Sequence, residues 1–234
     1  MARIAIIGRG AIGKALAPLL QEDSHEVMLM GRGDALAHVL EWQPHFAVEA
    51  AGQDALAEHG IAILKAGVPL IAASVGALAD DELRTALRGA AEEGQTRLHL
   101  PAGAIAGIDA LAALPGPVQI TYTGTKPSHA WPKGTSQGVF FEGSARQAAQ
   151  QYPKNANVAA TLALAVDGLD TTRVKLVSDS SATGNSHEWT ATGGGSQIEV
   201  AVRNAPTAQN PGSSALTVHS LHRTIRNLTG PVAL

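Results

Sequence analysis

The 234-residue sequence predicts an α/β protein, with an N-terminal doubly wound parallel sheet followed by a C-terminal α+β domain. Three observations predict it. Over the first hundred residues, apolar runs of strand length alternate with segments of helical spacing. The first run breaks at once into three glycines, in IAIIGRGAIGKALAPLL (4–20). After Pro101 the pattern shifts toward apolar–polar alternation, as in VQITYTGT (118–125).

The elements follow in order. Ala2–Ile7 is a continuous apolar run of strand length, and Ile12, Leu16, Leu19 and Leu20 give the next segment a helical stripe. HEVMLM (25–30) and HFAVEAA (45–51) read as the second and third strands. DALAEHGIAILKAG (54–67) reads as a helix closed by glycine, and VPLIAASVG (68–76) as a fourth strand. DDELRTALRGAAEEG (80–94) is a helix with acids in its first turn, and TRLHLP (96–101) a fifth strand. Apolar strands alternating with helices imply a parallel sheet covered on both faces.

In the second half, TRVKLVSD (172–179) and SQIEVAVRN (196–204) alternate as half-exposed strands, able to run antiparallel. Helices are predicted near 144–152 and 157–166, and a last one over 213–228. KPSHAWPKGTSQG (126–138) and SDSSATGNSHEW (178–189) read as loops. The resulting division is a dinucleotide-binding domain over 1–106, an α+β substrate or dimerisation domain over 107–212, and a terminal helix, 213–234, packing back on the first domain.

Composition narrows the function classes. Cysteine is absent, which excludes disulfides, thiolate metal sites and a cysteine nucleophile. A formal net charge of -3 and 3% aromatic residues give no footing for a nucleic-acid partner. No apolar stretch approaches the ~20 residues that span a bilayer. The N-terminal apolar run stops at Ile7, too short for a signal sequence, so the expectation is a cytoplasmic protein. H-E-x-x-H does not occur, so no metal is expected. G-x-S-x-G occurs once, at 134–138, but within a segment read as loop and not at a strand-to-helix turn, so no hydrolase elbow is expected.

Gly8, Gly10 and Gly13 form G-x-G-x-x-G directly after the first strand and at the mouth of the first helix, the context of a Rossmann-like dinucleotide site. Gly8 allows the tight turn, Gly10 the approach of a pyrophosphate, and Gly13 close packing of helix on strand. The pyrophosphate would meet the helix start at Ala11 and Ile12, where free N–H groups favour negative charge. At the end of the second strand, where an acid ordinarily holds the ribose of NAD, the sequence reads MLMGRGD. Arg32 there suits a 2′-phosphate, so NADP is expected to serve at least as well as NAD; a solvated loop arginine is the alternative.

With this domain in place, VEAAGQDALAEHG, ASVGALAD, LPAGAIAGIDAL, YTGTKPSHAW, FEGSARQAAQQYPKNANVAATLALA and NSHEW together resemble the L-aspartate dehydrogenase family. The resemblance covers nearly the whole chain in motif order. It implies a Rossmann domain followed by an α+β domain, a homodimer, and oxidative deamination of L-aspartate with NAD or NADP. The product would be iminoaspartate, which hydrolyses to oxaloacetate and ammonia or feeds NAD biosynthesis. It further implies cofactor contacts at Ala104 and Asn157 and a catalytic role for His187. Backbone at Ala51 and Gly52, and at Ser74, Val75 and Gly76, would line the cofactor. The segment between the second and third strands and KGTSQGVFFEG are shorter than the family pattern, and Gly212 stands where a lysine is expected.

The chemistry accords with a histidine. An α-amine must be neutral to release hydride, and imidazole is the side chain that titrates near neutrality. Of nine histidines, His187 is the one the resemblance selects, with His129 as rival. Two substrate carboxylates call for cations, for which Lys126, Arg146 and Lys154 stand in the motif segments, Lys154 being favoured for its closeness to Asn157. Alternative readings are a homoserine dehydrogenase-like enzyme on an aspartate-derived substrate, or a dinucleotide sensor without turnover.

Overall fold

The computed structural model describes residues 1–207 and 210–233. It divides into two compact units, one formed by Met1–Pro101 with Thr217–Leu234 and the other by Ala102–Leu216.

The first unit is a five-stranded, all-parallel sheet. Its strands are β1 (Arg3–Ile7), β2 (Glu26–Met30), β3 (Phe46–Glu49), β4 (Leu70–Ala72) and β5 (Leu98–His99), in the order β2-β1-β3-β4-β5. They alternate with α1 (Ala11–Glu22), α2 (Leu36–Glu41), α3 (Gln53–Lys65) and α4 (Asp81–Glu93). The short α2 accompanies the abbreviated link between β2 and β3. Alternate residues of the strands serve opposite faces. Ile4, Ile6, Val48 and Ile71 pack with Leu16 and Leu20 of α1 and with Val218, Leu221 and Ile225 of the terminal helix. On the other face, Leu70 and Leu87 of α4 both approach Gly60 of α3. The strand order reverses between β1 and β3, and the carboxyl ends there form the crevice where open α/β sheets take ligands.

The second unit opens with α5 (Ile108–Ala112) and holds a mixed five-stranded sheet. Its strands are β6 (Gln119–Pro127), β7 (Gly138–Ser144), β8 (Arg173–Asp179), β9 (Asn185–Gly193) and β10 (Ser196–Asn204), ordered β10-β9-β6-β8-β7. Helices α6 (Ala145–Gln151) and α7 (Asn157–Leu164) stand between β7 and β8, and α7 packs against β6. A two-stranded ribbon, β11 (Pro206–Thr207) with β12 (Asn210–Ser214), leads into α8 (Ala215–Thr229). Within this unit, Asn204 Nδ2 donates to the Ala104 carbonyl at 2.8 Å.

Three expectations are corrected here. The sheet is not wholly antiparallel, because β6 and β8 run parallel, joined by a crossover that includes α6 and α7. The stretch 178–189 is not all loop: β9 begins at Asn185, so His187 sits inside a strand. Its inward residues, Asn185, His187, Trp189 and Ala191, alternate with the less buried Ser186, Glu188, Thr190 and Thr192, but polarity on both faces hid the period. In 126–138 likewise, β6 runs on to Pro127 and β7 starts at Gly138.

Candidate active site

The glycine turn is built as its spacing requires. Gly8 adopts φ +128°, and a Cβ there would stand 2.7 Å from the Ala50 carbonyl oxygen, so the loops after β1 and β3 abut. At Gly13 a Cβ would collide with the Gly8 carbonyl oxygen, which fixes α1 against the turn. Gly10, the N-cap of α1, faces open space with no side-chain cap. Ala11, Ile12 and Gly13 thus begin a twelve-residue helix whose first N–H groups have no partner within the helix.

Glu49 is a buried residue of the candidate site that the sequence reading passed over. Ending β3 at 1% exposure, it accepts hydrogen bonds from the Ala51 and Gly52 amides at 2.8 Å each and from the Ser74 amide and hydroxyl at 3.0 Å each. One carboxylate therefore ties together both loops, 50–52 and 74–76. Burial raises its pKa, while the hydrogen bonds from Gly52, Ala51 and Ser74 oppose the rise. The signal was available: an acid inside the otherwise apolar run HFAVEAA. Val75 and Gly76 lie buried in a 3-10 turn after Ser74.

At the end of β2, Arg32 is exposed. Arg9, within the glycine turn, donates to the Leu29 carbonyl at 3.0 Å and pairs with Asp34 at 2.7 Å. The Asp34 carboxylate also accepts from the Gly31 amide at 2.9 Å. The acid nearest the ribose position is thus already engaged by an arginine.

In the second unit, one face of the sheet gathers the buried titratable side chains. Along β6, Tyr122, Gly124 and Lys126 point inward; along β9, His187 and Trp189 do. His187 is 2% exposed, its Nδ1 lies 2.8 Å from the Tyr122 hydroxyl, and its Nε2 has no hydrogen-bond partner among the described residues. Burial, and next the Lys126 charge, lowers its pKa to about 3, so the imidazole is neutral. Lys126 is 8% exposed and its ammonium sits 5.2 Å from the centre of the Trp131 ring. Burial lowers it to about 8.

The other sequence-chosen residues divide. Asn157 is half-buried at the start of α7, and Ala104 is buried in the segment tied to Asn204. Lys154 is exposed on the turn before α7, and His129 is exposed on a short 3-10 turn. Arg146 grips Asp170 through two bonds of 2.7 and 2.9 Å. The strand end before it is also distant from Lys126. Ser144 pairs with Arg173 and Lys126 with Ser178 along β8, five residues or roughly 16 Å apart. Among the described residues no group of three His, Asp or Glu could hold a metal, and no helix is long and apolar enough to cross a membrane.

Comparison with known proteins accords with this geometry. The family model for the C-terminal domain of aspartate dehydrogenase matches residues 108–228, and that for the NAD-binding domain of homoserine dehydrogenase matches residues 32–101. The chain is 41% identical to L-aspartate dehydrogenase 2 of Bordetella pertussis, covering 96% of each. It is 38% identical to L-aspartate dehydrogenase of Cupriavidus taiwanensis, with 100% of each chain covered in an alignment of 266 positions, which reflects the shortened segments. The crystal structure of aspartate dehydrogenase from Thermotoga maritima superposes with a TM-score of 0.81 at 27% identity, covering 100% of this chain and 99% of that one. The chain belongs to the aspartate dehydrogenase family.

Proposed function

We propose that this protein oxidises L-aspartate to iminoaspartate, which hydrolyses to oxaloacetate and ammonia, using NAD or NADP. The observation that carries the reading is the buried face of the second unit, where a lysine without a carboxylate partner among the described residues shares the interior with a histidine whose Nε2 is unpartnered. Such a cation is costly to bury and suits an anionic substrate. The nicotinamide, when bound, supplies the hydride acceptor.

The first unit's residues fit the dinucleotide. Gly10 leaves room beside the α1 amides for a pyrophosphate, and Glu49 holds the 50–52 and 74–76 backbone in place. Arg32, with Arg9 already neutralising Asp34, favours a 2′-phosphate. In the second unit, Lys126 receives a substrate carboxylate. The α-ammonium must shed a proton before hydride leaves, and the His187–Lys126 pair is the part of the site that can take it. Ala104 and Asn157 complete the cofactor contacts, and Lys154 is a secondary candidate for the outer carboxylate.

Mixing the purified protein with L-aspartate and NADP or NAD, and following reduced nicotinamide by absorbance, tests the reading. Turnover with aspartate is expected. Tight dinucleotide binding without turnover would instead favour the sensor, and turnover with homoserine alone the related dehydrogenase. Arg32→Ala should raise the KM for NADP and leave that for NAD nearly unchanged; an unaltered NADP KM rejects the arginine's role.

A further inference from the structure

The Tyr122–His187 contact fixes more than a position. The register pairs Gly124 with His187 and Tyr122 with Trp189, so the phenol reaches the imidazole diagonally across Gly124. A Cβ at Gly124 would collide with the Tyr122 hydroxyl and stand 2.9 Å from its ring carbon, so glycine is what lets the ring lie there. Both rings are 2% exposed, inclined by 19° with centroids 6.1 Å apart. The hydroxyl's hydrogen bond to Nδ1 is the one the described residues give it. Burial raises the phenol's pKa, so it keeps its proton.

Two arrangements of hydrogens are possible. If Nδ1 carries the imidazole proton and donates to the phenol oxygen, the phenol's own hydrogen has no acceptor and the Nε2 lone pair has no donor. Two buried polar functions are then orphaned. If the phenol donates to Nδ1, the proton sits on Nε2 and that single N–H is left for a ligand. Each buried group left unsatisfied forfeits its hydration without replacement, so the second arrangement, with one orphan in place of two, prevails.

We propose that Tyr122 is a positioning residue that holds His187 as its Nε2–H tautomer, making the imidazole a hydrogen-bond donor to the substrate and leaving the ammonium proton to Lys126. This rests on the functional reading above. The Nε2–H suits a carboxylate oxygen of a dicarboxylic amino acid. The His187 lone pair is committed to the phenol and takes no proton. Below pH 8 most Lys126 carries its proton, so the step runs through the minority amine form. The proton passes from the substrate's α-ammonium to that amine, leaving a free α-amine and a lysine ammonium that can pair with a substrate carboxylate, with no other reactant required.

Nitrogen NMR of histidine-labelled, ligand-free protein, with His187 assigned by comparison with His187→Gln, reads the tautomer directly. Protonated Nε2 and unprotonated Nδ1 are expected, and Tyr122→Phe should shift the two signals toward a mixture while leaving dinucleotide affinity unchanged. In turnover, His187→Gln keeps an N–H donor and should stay within about tenfold of the parent, whereas Lys126→Met should lose about 10² or more. A proton on Nδ1 in the parent protein overturns the proposal even if Tyr122→Phe fails to fold. A loss of about 10² or more in the glutamine variant also overturns it. Absence of aspartate turnover with Nε2 protonated would defeat the functional reading and leave the tautomer standing.

Discussion

Lys126 shows what a single side chain can cost its own fold. Its pKa falls from the ordinary 10.5 to about 8 because burial disfavours the charged form. At neutral pH that is a penalty on the order of 3 kcal/mol. The folded value lies below the unfolded one, so the penalty is fully present below pH 8 and fades as pH rises toward 10.5. Lys126→Met should therefore raise the Tm at pH 7, by an amount that shrinks toward pH 10, while the KM for aspartate rises. An unchanged or lower Tm at pH 7 would contradict the burial penalty. From sequence, Lys126, Lys154 and Arg146 were equals apart from spacing. Period two along β6 could have marked Lys126 as inward with Tyr122 and Gly124. Nothing local could have shown that Asp170, far along the chain, occupies Arg146.

At the scale of the element, the turn between β1 and α1 separates folding from binding within one motif. A methyl at Gly13 meets backbone, whereas at Gly10 it meets nothing within 4 Å. Gly13→Ala should lower stability by about 1–3 kcal/mol, measured by denaturant unfolding. Gly10→Ala should alter stability by no more than about 1 kcal/mol yet weaken dinucleotide binding at least tenfold by calorimetry. Equal effects of the two substitutions on stability would refute the distinction. This element was legible because buried parallel strands and glycine turns write their pattern locally. β9 was not, since its inward row contains asparagine, histidine and tryptophan, and its partners fix it rather than its own hydropathy.

For the whole molecule, alternation before Pro101 and the change of rhythm after it were enough to reveal two architectures. The parallel β6–β8 pair was not, because pairing partners more than fifty residues apart leave no local trace. The terminal helix joins the core of the first unit, where Leu221 is 0% exposed beside Ile4, Ile6 and Leu16. Asp23, just past α1, pairs with His222 at 2.7 Å to hold α8 there. Leu221→Ala should destabilise by about 2–5 kcal/mol and lower the Tm; a loss under 1 kcal/mol would mean that α8 is dispensable to that core. During ribosomal synthesis this arrangement delays completion. The parallel sheet emerges first but keeps an uncovered greasy flank until α8 has left the exit tunnel. A chain truncated after residue 216 would keep every residue of the second lobe and leave the first open to chaperones and proteases along the face that α8 covers.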